Sequence, residues 1–399
     1  MPPSPAVSAD VGRHNMSLVL RSLADHEPCA RSEIRARTGL VSGTVTTMTE
    51  ELAARGLVQE TGSVSGGGRG RPRRLLRTVP QRVRTVAVQL SSGSVMGEVR
   101  DLAGQVLWAK TDEHGTAAGD IDELVARAGR MLDAAIETAE DDPRVHVPAP
   151  VVVVPGLLRS DATVVASLEL GLGQTDLRTP LTRRLRRPRD LALMNTGRLG
   201  ALSEYAAHPP DARPHAMAYV NGLEGVGGTV LLDGDFYGGA HGLAGECGHI
   251  TVDMNGPRCG CGARGCLDLY LGLTAILTRV GLPTEDPARS LGELVDRLER
   301  AEPTACEALD TAGRALAGAM ATMASYTDLD LVVLGGVLPR LFPWLEPHLD
   351  ELVTARSRVT PEFNPKVALA RYGKEAPRRG AWLHSRGLVL DDPSRVPYV

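Results

Sequence analysis

Residues 242–268 read GLAGECGHITVDMNGPRCGCGARGCLD, and this stretch carries the strongest chemical signal in the chain. His249, Cys259, Cys261 and Cys266 follow the spacing H-x9-C-x-C-x4-C and supply the four soft or borderline ligands of a closed tetrahedral Zn²⁺ site. Gly260, Gly262 and Gly265 let the chain turn tightly enough for three thiolates to converge. Four protein ligands leave no open position for water, so the expected metal is structural. Cys247 would make a fifth ligand and is left out. The other cysteines, Cys29 and Cys306, lie far away, and a local cluster in a chain of this length reads as metal binding more readily than as a disulfide framework. The alternative is a set of buried structural cysteines.

Around this stretch, strands and helices alternate. Upstream, 85–90, 95–100 and 105–110 read as a three-strand meander, 122–139 as an amphipathic helix, and 149–154 and 191–194 as buried strands. The order then recurs, with strands at 216–221 and 229–232, helices at 267–280 and 303–326, and a strand at 329–334 ending in Gly335-Gly336. Two related halves of this kind suggest a duplicated α/β fold with a cleft between lobes.

The first 80 residues differ. Met16, Val19, Leu20 and Leu23 mark one face of a helix, and a short second helix fits 31–37. After the turn Thr38-Gly39-Leu40-Val41, Ser42 is the expected N-cap of a third helix with Val45, Met48 and Leu52 inward. Its outer face opens with Ser42, Gly43, Thr44, Thr46 and Thr47, small hydrogen-bonding residues suited to a major groove, and Arg31 is a further candidate contact. Thr61–Arg77, with the run Gly66-Gly67-Gly68-Arg69-Gly70-Arg71-Pro72, then reads as a wing whose Arg69 and Arg71 suit a narrow minor groove. The alternatives are an ordinary trihelical bundle and a solvated linker.

Charge follows the same division. The chain carries net −4, yet its first 80 residues hold eleven Arg against seven Asp and Glu. A basic head on an acidic body is the asymmetry expected when one part meets a polyanion. No run of 18 apolar residues occurs and the N-terminus lacks the apolar core of a signal peptide, so a cytoplasmic protein without a membrane partner is expected.

Gly242–His249 and Cys259–Asp268, together with Gly225-Val226-Gly227-Gly228 and Asp233-Gly234, resemble the ROK family (repressors, open reading frames and kinases), and the likeness runs over essentially the whole chain. The resemblance implies an α/β protein: a winged helix-turn-helix followed by a two-lobed, actin-like sugar-kinase fold. It also implies zinc on His249, Cys259, Cys261 and Cys266, and sugar hydroxyl contacts from Asn195, Glu246 and His249, with Asp268 where a Glu is usual. Members with such a head, the xylose and N-acetylglucosamine repressors among them, are transcription factors acting as dimers or tetramers. The expected organisation is a DNA-binding head over 1–80, a first lobe over 81–198, a second lobe with the zinc over 199–371, and a C-terminal helix over 372–399 that returns to the first lobe.

Departures from the family pattern separate the activities it contains. Kinases of the family place an Asp after the Asn, as general base on the sugar hydroxyl; here the pair is Asn195-Thr196. A threonine hydroxyl cannot accept that proton near neutral pH, and losing such a base costs about 10²–10⁴-fold. The first phosphate loop lacks its Asp, reading Gln89-Leu90-Ser91-Ser92-Gly93-Ser94, and Thr229 stands where a glycine is usual. The expectation is therefore a non-enzymatic transcriptional regulator, a repressor of a double-stranded operator, acting as a homodimer or homotetramer and responding to a sugar or phosphosugar. The competing readings are an orphan regulator whose body binds no sugar, and an ATP-dependent sugar kinase.

Overall fold

The computed structural model describes residues 8–64, 73–159, 161–167 and 169–399. In the head, α1 (Ser8–His26) buries Met16, Val19, Leu20 and Leu23, one stripe of a helical surface. A two-residue strand, β1 (Cys29–Ala30), leads into α2 (Arg31–Thr38) and α3 (Ser42–Ala54). β2 (Val58–Val64) and β3 (Arg73–Thr78) form an antiparallel ribbon, and the small sheet has the order β1-β3-β2. This is the layout of a helix-turn-helix with a wing; Arg69 and Arg71 lie outside the described residues.

Two local expectations for α3 change. Ser42 is not the N-cap: the chain turns through Gly39 in the left-handed region (φ 71°) and is extended at Val41, so the helix begins one residue earlier than a Ser cap would place it. Val41 is the N-cap and offers no side-chain bond. Inside, Val45 and Leu52 are buried as expected, Met48 is only half-buried, and Thr49 takes the neighbouring buried position.

The first lobe begins with an antiparallel meander of β4 (Arg84–Leu90), β5 (Ser94–Asp101) and β6 (Val106–Glu113), followed by α4 (Ile121–Ala139). β7 (Val151–Val154) joins β4 in parallel, and its four valines are fully buried, as a strand covered on both faces requires. A short pair, β8 (Leu157–Leu158) and β9 (Val164–Ala166), and α5 (Arg178–Arg184) precede β10 (Ala192–Asn195), giving the sheet order β10-β7-β4-β5-β6. α6 (Thr196–Tyr205) carries the chain onward.

The second lobe repeats the plan. β11 (Ala216–Gly222), β12 (Val226–Leu232) and β13 (Asp235–Phe236) are antiparallel. The helical region at 267–280 is broken: α7 (Asp268–Leu271) and α8 (Leu273–Arg279) meet at Gly272. There the Leu273 and Thr274 amides donate to the Leu223 and Glu224 carbonyls at 3.0 Å, so the helix is interrupted where the chain bonds the β11–β12 turn. α9 (Pro287–Glu299) and α10 (Pro303–Thr327) follow, then β14 (Leu331–Gly336), α11 (Leu338–Ser357) and β15 (Lys366–Leu369), in the order β13-β12-β11-β14-β15. Each sheet therefore has three antiparallel strands followed by two parallel ones, the duplicated, two-lobed actin-like fold. Among the described residues no helix is long and apolar enough to cross a membrane.

The last helix, α12 (Ala376–Asp391), ties the parts together. It packs on α6 so closely that a side chain at Gly380 would overlap the Leu199 carbonyl. Trp382 Nε1 donates to the Asp101 carbonyl at 2.9 Å, and Ala381 shares a buried cluster with Ala87, Val151 and Val153. At the other end Val389, Leu390 and Val396 join the core of the head beside Leu20 and Leu52. One helix thus spans from the lobe interior to the head.

Candidate functional site

The metal-type cluster is built by a folded loop between β13 and α7. Val252 N donates to the Gly265 carbonyl at 2.8 Å and Cys259 N to the Ala263 carbonyl at 2.9 Å, which double the loop back on itself. Gly265 sits at φ 58° against the Asp253 carbonyl, where a Cβ could not fit. The result brings one donor atom each of His249, Cys259, Cys261 and Cys266 within 4.8 Å of one another. His249 Nδ1 lies 3.7 Å from Cys259 Sγ, and Cys261 Sγ lies 3.6 Å from Cys266 Sγ. Bond lengths of roughly 2.0–2.3 Å give a tetrahedral Zn²⁺ site ligand–ligand edges of about 3.5–3.8 Å, so the donor chemistry and these two spacings fit this ion. Cys247 turns away: its Sγ donates to the Gly227 carbonyl at 3.5 Å, and burial pushes its thiol up to about 12.

Of the residues expected to meet a ligand, Asn195 and Asp268 lie beside the glycine-rich start of β12. Asn195 is the N-cap of α6, accepting from Arg198 N at 2.9 Å, while its amide donates to the Gly156 carbonyl. Arg198 reaches across to donate to the Gly242 carbonyl, and Gly197 approaches Gly228. Asp268 Oδ1 accepts from Val226 N at 2.6 Å and lies 2.5 Å from where a Gly225 Cβ would stand. Asn195 and Asp268, expected to meet a ligand, are therefore both bonded to the protein backbone here. Glu246 is different. Burial raises its carboxyl to about 7, against a smaller opposing pull from Arg198.

That shift has a testable sign. A carboxyl raised in the fold favours the protonated native state, and the contribution is lost as pH climbs from 4.5, the group's ordinary value, through about 7. Stability of the native chain should fall across this window by on the order of 1–3 kcal/mol, whereas Glu246→Gln should not show that loss. Melting temperature against pH checks it; parallel curves for the two proteins would reject the assignment.

Three participants carried no sequence signal because each depends on a distant partner. Glu169 accepts from Ser92 N at 3.2 Å; burial raises its carboxyl, the Ser92 amide opposes this, and the charge of Glu224 from the other lobe adds a smaller push upward. Beside Glu169 lies a cavity of about 110 Å³ lined also by Ser91, His114 and Thr116. Arg378 on α12 donates to Gln89 Oε1 at 3.1 Å and lies 3.6 Å from Glu98, placing a guanidinium against the altered first loop. Arg198 is the third.

In the head, Ser42, Gly43, Thr46 and Thr47 are exposed along α3, and Thr44 is half-buried. Arg31 is drawn inward: Nε donates to Thr49 Oγ1 at 3.0 Å, and the guanidinium lies 3.4 Å from Glu60. It fastens α2 to α3 and β2.

The fold and site define a two-lobed actin-like body behind a helix-turn-helix head. The ROK family model matches residues 85–386, and the chain belongs to that family. The xylose repressor of Bacillus spizizenii is 24% identical over 374 residues, covering 93% of this chain and 94% of that protein. The N-acetylmannosamine kinase of Yersinia pestis is 29% identical but covers 73% of this chain and 98% of the kinase. In three dimensions the chain is similar to a ROK family transcriptional regulator, a homologue of the E. coli MLC protein, with a TM-score of 0.78, 24% identity, and coverage of 96% and 97% of the two chains.

Proposed function

We propose that this chain is a transcriptional regulator, in its simplest form a repressor, that binds a double-stranded DNA operator as a homodimer or homotetramer. The observation that carries this reading is the head. It presents an exposed row of small hydroxyl and glycine residues on α3, and it lies in front of the span matched by the family model. The coverage of the relatives agrees: a repressor aligns over nearly all of both chains, whereas a complete kinase leaves about a quarter of this chain unmatched.

The body serves as a sensor and not as a phosphoryl-transfer enzyme. Thr196 cannot take the proton that the family's Asp takes, and its Oγ1 is buried without a hydrogen-bond partner. Gln89 is engaged by Arg378 and replaces the carboxylate of the first loop. His249, Cys259, Cys261 and Cys266 hold one structural Zn²⁺, which would pin the loop that follows Glu246 and add no reaction of its own. Glu246, His249, Asn195 and Asp268 line a cleft for a sugar or phosphosugar, and binding there shifts the protein away from its DNA-competent state. A second reading is that the body binds no sugar, and the backbone bonds of Asn195 and Asp268 favour it.

The experiment is a gel-shift series with the full chain on duplexes selected from a random pool, repeated with a panel of sugars and phosphosugars. Binding that no carbohydrate alters would remove the sensor role while leaving the regulator. A coupled ADP-release assay over common hexoses should give no turnover. Arg69→Ala and Arg71→Ala should each weaken binding and reduce the slope of log affinity against log salt by about one. An unchanged slope would remove the wing from the interface.

A further inference from the structure

We propose that Val41 is a base-reading residue of the head and contacts the C5-methyl group of a thymine in the major groove. The proposal rests on the DNA-reading role given above and names the chemistry read by one residue of that surface. Val41 is the N-cap of α3, with φ −69° and ψ 153°, and makes no side-chain cap bond. Val41 is 71% exposed. Its carbonyl accepts from Val45 N at 3.1 Å, but its side chain takes part in neither the cap nor the core. A β-branched aliphatic residue is among the poorest N-caps, since it offers no oxygen to the free N–H groups of the first turn. An aliphatic side chain this exposed adds nothing to the core of the head, whose members at this turn are Ile34 and Val45, with Leu40 packed against them.

Its neighbours indicate what it faces. Ser42, Gly43, Thr46 and Thr47 are exposed beside it and small, so the start of α3 can approach a groove floor without obstruction. Thr46 Oγ1 is turned back onto the Ser42 carbonyl at 3.0 Å, which keeps the helix start narrow. A valine has neither donor nor acceptor, so it cannot bond a phosphate or the polar edges of adenine, guanine or cytosine. The one apolar feature that a base pair displays in the major groove is the thymine methyl. Chemistry and position therefore select the same target.

The test uses the full-length protein and duplexes enriched from a random pool. The enriched sequence should contain a thymine in each half-site that is replaced by other bases when Val41→Ala is selected in parallel. Exchanging that dT for dU removes only the methyl group. It should weaken the native protein by about four-fold per half-site, the worth of one buried methyl, and leave Val41→Ala unaffected. Val41→Ser, which can cap α3, should raise the melting temperature and lose the sensitivity to dU, separating reading from folding. If dU is tolerated by the native protein, or Val41→Ala retains the same preference and dU response, Val41 is not a reader although the head still binds DNA. Failure of the native protein to enrich any sequence would overturn the DNA-reading role together with this proposal.

Discussion

Replacing Cys266 by serine is expected to abolish zinc binding at the proposed site and to lower the melting temperature of the body by about 10 °C. Cys266 is fully buried at the base of the loop, with its Sγ 3.6 Å from Cys261 Sγ, so it anchors the cluster to the protein interior. Loss of a structural metal belongs to the few single changes that cost more than about 4 kcal/mol, and each kcal/mol moves a domain of this size by roughly 2–4 °C. The physical reason is linkage: four ligands that converge only in the folded loop convert metal affinity into folding free energy. Cys247→Ser provides the control. Cys247 is equally buried but bonded toward Gly227, so it should lose packing and keep its metal. Metal content per chain, measured on both variants, decides. One zinc retained in Cys266→Ser would disprove the ligand set.

The second large effect is expected at Arg55, at the end of α3. Its guanidinium donates to the Ser394 carbonyl at 2.8 Å, to the Val396 carbonyl and to Glu51 Oε1, and it stacks 4.2 Å from the centre of the Tyr398 ring. Arg82 extends the joint, donating to the Arg55 carbonyl at 2.8 Å and to Pro397. The C-terminal tail is thereby clamped between head and body. Arg55→Ala should destabilise by about 3 kcal/mol, because charged hydrogen bonds are lost and partners are left buried without a donor. Hydrogen exchange in α3 should accelerate, since its end loses the tail. Deletion of residues 392–399 should reproduce both effects. A change below about 0.5 kcal/mol in chemical denaturation would place the clamp among surface contacts of no consequence. If the body senses a ligand, Arg55→Ala should also blunt its effect on DNA binding, because α12 and the tail connect α6 to the head.

The residues read correctly in advance were those whose signal is local. The stripe of α1 repeats at the helical period, and the continuous apolar run of β7 marks a strand covered on both faces; neighbouring residues suffice to define both. The Cys and His spacing is local too, and the four donors do converge. Local reading failed where a distant contact intervened. One failure was itself local: Ser42 is a better cap than Val41, yet the left-handed turn at Gly39 and the extended Val41 start the helix one residue earlier. Residues 267–280 have a helical pattern, but the Leu273 and Thr274 amides pair with the carbonyls of residues 223 and 224, and the helix is interrupted at Gly272.

From its own order of residues this chain determined two kinds of thing: which elements form, since hydrophobic period is a property of a few adjacent residues, and which side chains carry the metal-type chemistry. The partners that complete the site were decided by the tertiary structure alone. Gln89 meets Arg378 across 289 positions, Glu169 meets the charge of Glu224 from the other lobe, and Arg55 is held by a tail more than 330 residues away. Burial and charge act through space, so pairs such as these exist only once the lobes, the last helix and the head have packed together.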